Sequence, residues 1–186
     1  MSFQILVNKT HPLSPDYVPL DLVLTKVPFE EEEFLEKKLL RKMAASALEE
    51  LFAHASHLGY SLVAISGYRS YQRQQEIFST HVEKYGLEYA SQVSAKPGCS
   101  EHQTGLAMDI SLPSLSYKLL PDFGNTKEGQ WLAKNACQFG FILRYPADKV
   151  HITGYMYEPW HFRYVGVPLA THLTKCHLVM EEIIEA

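Results

Sequence analysis

Three features are scarce in this chain of 186 residues, and each scarcity excludes a class of protein. The three cysteines, Cys99, Cys137 and Cys176, are odd in number and widely spaced, which does not fit a disulfide-stapled domain. Lys and Arg number 17 against 21 Asp and Glu, and the net charge of −4 argues against a nucleic-acid partner. No apolar run is long enough to span a membrane.

A targeting signal is also missing from the start of the sequence. The first nine residues contain neither a basic stretch nor the apolar segment of a secretory signal peptide. We therefore expect a cytoplasmic protein with free thiols, unless a leader has been removed from it.

The rest of the composition is that of an ordinary globular protein. Apolar residues make up 46% of the chain and charged residues 20%. A chain of this length can bury a core without staples, so we expect one domain covering residues 1–186. The composition by itself defines no oligomeric state.

Prolines and hydrophobic periodicity divide the chain into structural elements. Four prolines predict that residues 8–29 form an extended arm, because each one fixes φ and removes a backbone donor. Apolar spacing predicts helices over residues 30–57, 71–85, 129–139 and from Leu169 to the C-terminus, the first beginning with Glu30 to Glu33. Short apolar or alternating runs predict strands over residues 61–66, 106–112, 141–144 and 161–165. This mixture predicts an α+β fold in which helices flank a mostly antiparallel sheet.

Two pairs of polar residues carry the chemistry that stands out in this sequence. His102 and Asp109 lie seven residues apart, and Glu158 and His161 follow about fifty residues later. Alternation along the strand at residues 106–112 places Asp109 on the face opposite Met108. Hydrolytic zinc centres use three nitrogen or oxygen ligands and keep a fourth position for water, from which a spare carboxylate can take a proton. Two imidazoles and two carboxylates supply these parts.

Each pair also has a structural explanation when taken alone. Asp109 could cap a loop, and His161 could be a buried histidine packed beside Trp160. Pro159 disfavours a helix at Glu158, so the second pair is not the helical His-Glu-x-x-His motif.

Two nucleophilic hydrolases are the competing interpretations of the same residues. Ser100, His102 and Asp109 could form a serine triad, although the glycine pattern of a nucleophile elbow is absent. Cys99 with His161 would give a thiol hydrolase.

Arg69 is the remaining candidate, because it follows Gly67 at the end of a predicted strand, where loops commonly carry function. Its guanidinium could stabilise an oxyanion. An ion pair with Glu76 or Glu101 is the structural alternative.

Long motifs in a fixed order connect these residues to a known family. They are Leu6–Leu13, Ser66–Ser70, Pro97–Ile110, Phe139–Pro146 and Tyr157–Gly166. Together they resemble the zinc D-Ala-D-Ala carboxypeptidases of the VanY type, and most closely the VanXY peptidases of vancomycin resistance. The resemblance covers nearly the whole chain.

The resemblance implies a role for each candidate residue. His102, Asp109 and His161 would bind Zn²⁺, Glu158 would be the catalytic base, and Arg69 would polarise the scissile carbonyl. Gln74 and Ser100 would hold the terminal D-alanine of the substrate. The fold would be the one shared with hedgehog-type and lysostaphin-type zinc peptidases.

The expected function follows from that resemblance. We expect zinc-dependent release of the terminal D-Ala from D-Ala-D-Ala or from peptidoglycan pentapeptide precursors. An L,D-carboxypeptidase acting on the tetrapeptide stem would use the same chemistry and is the first alternative. A non-catalytic zinc-binding module is the second, and the presence of both Glu158 and Arg69 argues against it.

Overall fold

The strands that carry Asp109 and His161 are neighbours in a small antiparallel sheet. The computed structural model describes residues 3–30 and 35–184. Its strands are β1 (Leu22–Leu24), β2 (Leu39–Arg41), β3 (Val63–Ser66), β4 (Ala107–Ser111), β5 (Phe141–Leu143) and β6 (His161–Tyr164). The strands β1 and β2 pair with each other, and the other four form one sheet in the order β3-β4-β6-β5. Every pair of neighbouring strands is antiparallel.

Helices surround this sheet, which confirms the α+β class. They are α1 (Lys42–His57), α2 (Tyr71–Tyr85), α3 (Leu87–Val93), α4 (Lys127–Asn135), α5 (Val150–Thr153), α6 (Val167–Cys176) and α7 (Glu181–Ile184). Among the described residues, no helix is both long enough and apolar enough to cross a membrane. All three cysteines are free, as the sequence predicts.

The main core lies between α1 and one face of the four-stranded sheet. Leu48 and Leu51 of α1 are buried in the same cluster as Met108 and Ile110 of β4. Alternation along β4 turns Asp109 away from that cluster, so the apolar face of the strand holds the sheet while the other face is left for polar groups.

Strand register then places the two halves of the predicted site side by side. Asp109 on the central strand β4 lies opposite His161 of β6 and opposite Ser66 of β3. Directly opposed residues in an antiparallel pair have their Cβ atoms about 5 Å apart. Residues separated by about fifty positions in the sequence therefore become neighbours on one face.

Three sequence predictions about elements were wrong or incomplete. The first helix begins at Lys42 and not at residue 30, because Leu39–Arg41 pairs with β1 as strand β2. Of the proposed glutamate start, Glu31 to Glu33 lie outside the described residues. The final helix is interrupted at His177, which has a positive φ of 54°, so α6 and α7 are separate. Helix α3 was not predicted.

Candidate metal centre and active-site cleft

One cavity of about 270 Å³ collects the residues that the sequence singled out. Its lining includes His102, Asp109, His161, Glu158, Arg69, Gln74 and Ser100. Side chains from β4, the start of β6, the helix α2 and the loops before β4, before β6 and after β3 thus meet in one cleft.

His102 is held by a backbone carbonyl outside the cavity. Its Nδ1 lies 2.7 Å from the carbonyl oxygen of Gly67, and a carbonyl only accepts, so the Nδ1 of His102 carries the proton. Gly67 is required there because a Cβ would lie 2.6 Å from the carbonyl oxygen of Leu39. The unprotonated Nε2 of the neutral ring is left facing Asp109, with its Nε2 3.2 Å from Oδ2.

His161 is oriented in the same way by a carboxylate. Its Nε2 lies 3.2 Å from Oε2 of the buried Glu101, while its Nδ1 lies 3.0 Å from Oδ1 of Asp109. The imidazole rings of His102 and His161 meet edge to face, with their centroids 4.9 Å apart. Each outer nitrogen thus has a partner, and each inner nitrogen points toward the same carboxylate.

These three side chains fit a divalent metal ion. One ligand atom each from His102, Asp109 and His161 lies within 4.8 Å of the others, and all three residues are buried. A neutral Nε2 on His102 has a lone pair directed at a carboxylate oxygen, an arrangement that a cation between them stabilises. Histidine ligands of metals usually donate their second nitrogen to a carbonyl or a carboxylate, as both do here.

The electrostatics of the centre favour positive charge at the same point. Burial opposes a charge on His161, but hydrogen bonds to Asp109 and Glu101 raise its pKa to about 9. Burial alone would raise the pKa of Asp109, yet the neighbouring His102 and His161 hold it well below its usual range. An environment that stabilises an imidazolium and a carboxylate suits a bound cation.

Glu158 is the carboxylate that remains outside the donor set. Its Oε2 lies 4.0 Å from Nδ1 of His161, too far for a hydrogen bond but inside the cleft. Burial raises the pKa of Glu158 to about 7, against the opposing effect of His161. A carboxylate with this pKa can both accept and return a proton near neutral pH.

Arg69 lies beside the same centre and is held in place by two side chains. Its Nη1 donates to Oε1 of Gln74 at 2.9 Å and its Nη2 to Oγ of Ser66 at 3.0 Å. Burial lowers the pKa of Arg69, and the nearby Asp109 and Glu158 oppose that effect. Neither ion pair considered from the sequence forms, because Glu76 pairs with Arg73 and Glu101 pairs with two other arginines.

Gln74 and Ser100 both line the cleft, and the side-chain amide of Gln74 is held there by several hydrogen bonds. The amide of Gln74 is fully engaged, since its Nε2 donates to the carbonyl oxygen of Ala95 at 2.7 Å and to Oγ of Ser94 at 3.3 Å. Gln74 therefore fixes the position of Arg69 in addition to bordering the cleft. Ser100 is buried and lines the same wall. Their contact with substrate stays a prediction.

The geometry does not support either nucleophilic alternative. A serine triad needs one histidine nitrogen for serine, but the nitrogens of His102 face Gly67 and Asp109. A thiolate is also disfavoured, because burial raises the pKa of Cys99 and both nitrogens of His161 face carboxylates.

Glu101 is a functional neighbour whose part in the site the sequence analysis missed. Its Oε1 accepts from Nε of Arg144 and from Nη1 of Arg163, each at 2.8 Å. Arg144 in turn donates to both carboxylate oxygens of Glu181 in α7. Burial would raise the pKa of Glu101, but the two guanidinium groups hold it well below its usual range. The arginines lie 43 and 62 residues away in sequence, so no local pattern indicates them.

Comparison with known proteins agrees with this fold. Residues 37–167 match the family model described as VanY: D-alanyl-D-alanine carboxypeptidase. The presumed carboxypeptidase YodJ of Bacillus subtilis (strain 168) is 49% identical over 180 residues, which is 97% of this chain and 66% of that protein. The bifunctional D-Ala-D-Ala dipeptidase and carboxypeptidase VanXYC of Enterococcus gallinarum is 36% identical, over 95% of this chain and 90% of that protein. The chain thus spans just under two thirds of the length of YodJ.

Three solved structures are similar throughout the chain. The LdcB LD-carboxypeptidase superposes with a TM-score of 0.93 at 49% identity, covering 97% of this chain and 84% of that one. VanYB in complex with D-alanine-D-alanine gives 0.79 at 35% identity, with 98% and 97% covered. A variant of the D,D-pentapeptidase VanY in complex with Zn(II) gives 0.77 at 35% identity, with 96% and 97% covered.

Fold, site and relatives together define the class of the protein, which is that of the peptidases. Within that class, the chain belongs to the VanY family of D-alanyl-D-alanine carboxypeptidases.

Proposed function

We propose that this protein is a zinc-dependent carboxypeptidase that releases a C-terminal D-alanine from peptides of the bacterial cell wall. The observation that carries the proposal is the meeting of His102, Asp109 and His161 with a fourth residue, Glu158, whose carboxylate lies outside the donor set, in one cavity. A non-catalytic zinc module has no use for that carboxylate or for the buried cation of Arg69 beside it.

Zinc suits the proposed donor set of two imidazole nitrogens and one carboxylate. When bound, it supplies a Lewis acid and makes a water molecule more acidic. The complex of a related VanY variant with Zn(II) supports this choice of metal. His102, Asp109 and His161 would hold the ion, while Gly67 and Glu101 fix the two imidazole rings.

The other residues of the cleft would transfer the proton, stabilise the oxyanion and position the substrate. Glu158 takes a proton from the attacking water and returns it to the nitrogen of the leaving D-alanine, so the step needs no further acid. The guanidinium of Arg69 stabilises the negative charge that develops on the scissile carbonyl oxygen. Gln74 holds Arg69 in position, and we propose that Gln74 and Ser100 border the place of the terminal D-alanine.

The identity of the residue before the terminal D-alanine separates two forms of this activity. The family model, VanXYC and the complex of VanYB with D-alanine-D-alanine favour a D,D-peptidase. The similarity to the LdcB LD-carboxypeptidase is greater in both identity and superposition, and it favours the L,D-form. We therefore propose L,D-cleavage of the tetrapeptide stem as the main activity, and D,D-cleavage as the second candidate.

The test measures D-alanine released from three substrates by the zinc-loaded protein: D-Ala-D-Ala, the pentapeptide precursor and the tetrapeptide. The proposal expects release from at least one of them and fastest release from the tetrapeptide. Faster release from the pentapeptide or the dipeptide would favour the D,D-form. If none is cleaved by protein that contains one zinc ion per chain, the carboxypeptidase proposal is wrong.

A further inference from the structure

A second pocket of about 150 Å³ adjoins the catalytic cleft. It is lined by Lys9, Ser91, Ser94, Lys96 and Cys99. Ser94 and Cys99 also line the catalytic cavity, so the two spaces share a wall. The side pocket therefore lies directly beside the catalytic cleft.

Both lysines bring positive charge to this pocket. Nζ of Lys9 lies 5.1 Å from the centroid of the Tyr155 ring, and the hydroxyl of Tyr155 donates to the carbonyl oxygen of Cys99 at 2.9 Å. Tyr155 also lines the catalytic cavity. The ring thus holds one ammonium group at the border between the two spaces.

The position of Lys96 is supported by its effect on Cys99. Burial raises the pKa of the Cys99 thiol, whereas the ammonium groups of Lys96 and Lys9 both oppose that rise. Both charges therefore lie close to the wall that the pocket and the cleft share. Within residues 3–30 and 35–184, no carboxylate pairs with Lys9 or Lys96.

We infer that Lys9 and Lys96 form a second subsite that binds a side-chain carboxylate of the peptide substrate. The inference rests on the proposed peptidase function and adds an acidic residue to its substrate class. Two ammonium groups that line one pocket and have no carboxylate partner among the described residues can form strong hydrogen bonds with a carboxylate. An amide of the same shape would lose the charge and leave the ammonium groups unpaired.

The side-chain carboxylate is one of two anionic groups that such a peptide carries, since its C-terminus is the other. Arg69 is the cation next to the metal ligands, and we have proposed that the terminal D-alanine lies near its partner Gln74. A subsite for the side chain discriminates between a carboxylate and a carboxamide, whereas a subsite for the C-terminus does not. This difference separates the two sources by experiment.

The test uses peptides ending in D-alanine that carry Glu at one of the two preceding positions, each with a Gln counterpart. The values of kcat/KM are compared for the wild type, for Lys9→Met and for Lys96→Met, with Lys134→Met as the control. Lys134 is an exposed lysine in the last turn of α4. In parallel, calorimetry gives the Kd of each peptide for the Glu158→Gln protein, which we expect to be catalytically inactive.

We expect the wild type to prefer the Glu peptide at one of the positions by about tenfold, which corresponds to one charge-assisted hydrogen bond. Each lysine variant should lose most of this preference through a higher KM for the Glu peptide, with the Gln peptide unaffected. The preference should shrink as salt is added, and Lys134→Met should keep it. The Kd values should show the same pattern.

Three results would overturn the inference. Equal kcat/KM and Kd values for Glu and Gln peptides at both positions would exclude a side-chain subsite. A loss in the lysine variants that is the same for Glu and Gln peptides would assign the lysines to the C-terminal carboxylate. A preference retained in both lysine variants would place the subsite elsewhere. Because the Kd values need no turnover, failure of the proposed peptidase activity would be seen separately as absence of D-alanine release.

Discussion

Replacing Glu101 by Gln should weaken both the fold and the metal centre. The substitution keeps the shape of the side chain but removes the negative charge that faces Arg144, Arg163 and His161. All of these groups are buried, so the two guanidinium groups would lose a counter-charge that water cannot replace. Breaking a buried ion pair in this way costs about 3–5 kcal/mol.

Two magnitudes follow for the Glu101→Gln variant. In a chain of this size each 1 kcal/mol lowers the Tm by about 2–4 °C, so a fall on the order of 10 °C is expected. Loss of the carboxylate that orients His161 should weaken zinc binding by about 10–100-fold. Thermal unfolding gives the first quantity, and competition with a chromophoric chelator gives the second.

Glu181→Gln is the matched control for the Glu101→Gln variant. Glu181 shares Arg144 with Glu101, but no hydrogen bond joins it to His161. Its loss should therefore lower stability while the zinc affinity stays close to that of the wild type. Glu182→Gln removes a neighbouring charge that forms a partly exposed ion pair with Lys149, and its unfolding midpoint should barely change.

The expected pattern separates support of the fold from support of the metal. If Glu101→Gln has the unfolding midpoint and the zinc affinity of the wild type, the buried network does not have the role argued from its geometry. If Glu181→Gln weakens zinc binding as much as Glu101→Gln does, the orientation of His161 does not depend specifically on Glu101.

Three further changes test the catalytic assignments. Glu158→Gln should bind zinc like the wild type but lose about 10²–10⁴-fold in kcat, measured as D-alanine release, and near-normal turnover would show that another group is the base. Arg69→Lys keeps the charge but not the two hydrogen bonds to Gln74 and Ser66, so kcat should fall while the Tm stays within a few degrees; an unchanged kcat would contradict the oxyanion role. Removal of metal by a chelator should abolish activity, and stoichiometric zinc should restore it; full activity in metal-free protein would rule out the metal centre.

Local patterns were sufficient for the elements that form from their own residues. Helix α2 begins and ends where the sequence predicts, at Tyr71 and Tyr85, because Ser70 accepts from the backbone of Arg73 at its start and Gly86 follows its end. The strand around Asp109 was found from its alternation. The helix predicted from residue 30 failed because Leu40 pairs with Val23 of β1, a partner that periodicity does not reveal.

The sequence by itself determined the residue types of the candidate site and the positions at which they stand. A hydrolytic zinc centre needs imidazoles and carboxylates, and the sequence contains them at His102, His161, Asp109 and Glu158. These residue types can be identified without the fold. Only the tertiary structure decided that they meet, because strand register sets Asp109 opposite His161. It also gave the two remaining carboxylates different surroundings, since Glu101 is fixed by two buried arginines whereas the carboxylate of Glu158 lies in the cleft, 4.0 Å from His161. Pairings of this kind depend on contacts across 43 to 62 residues of chain, and no local pattern records them.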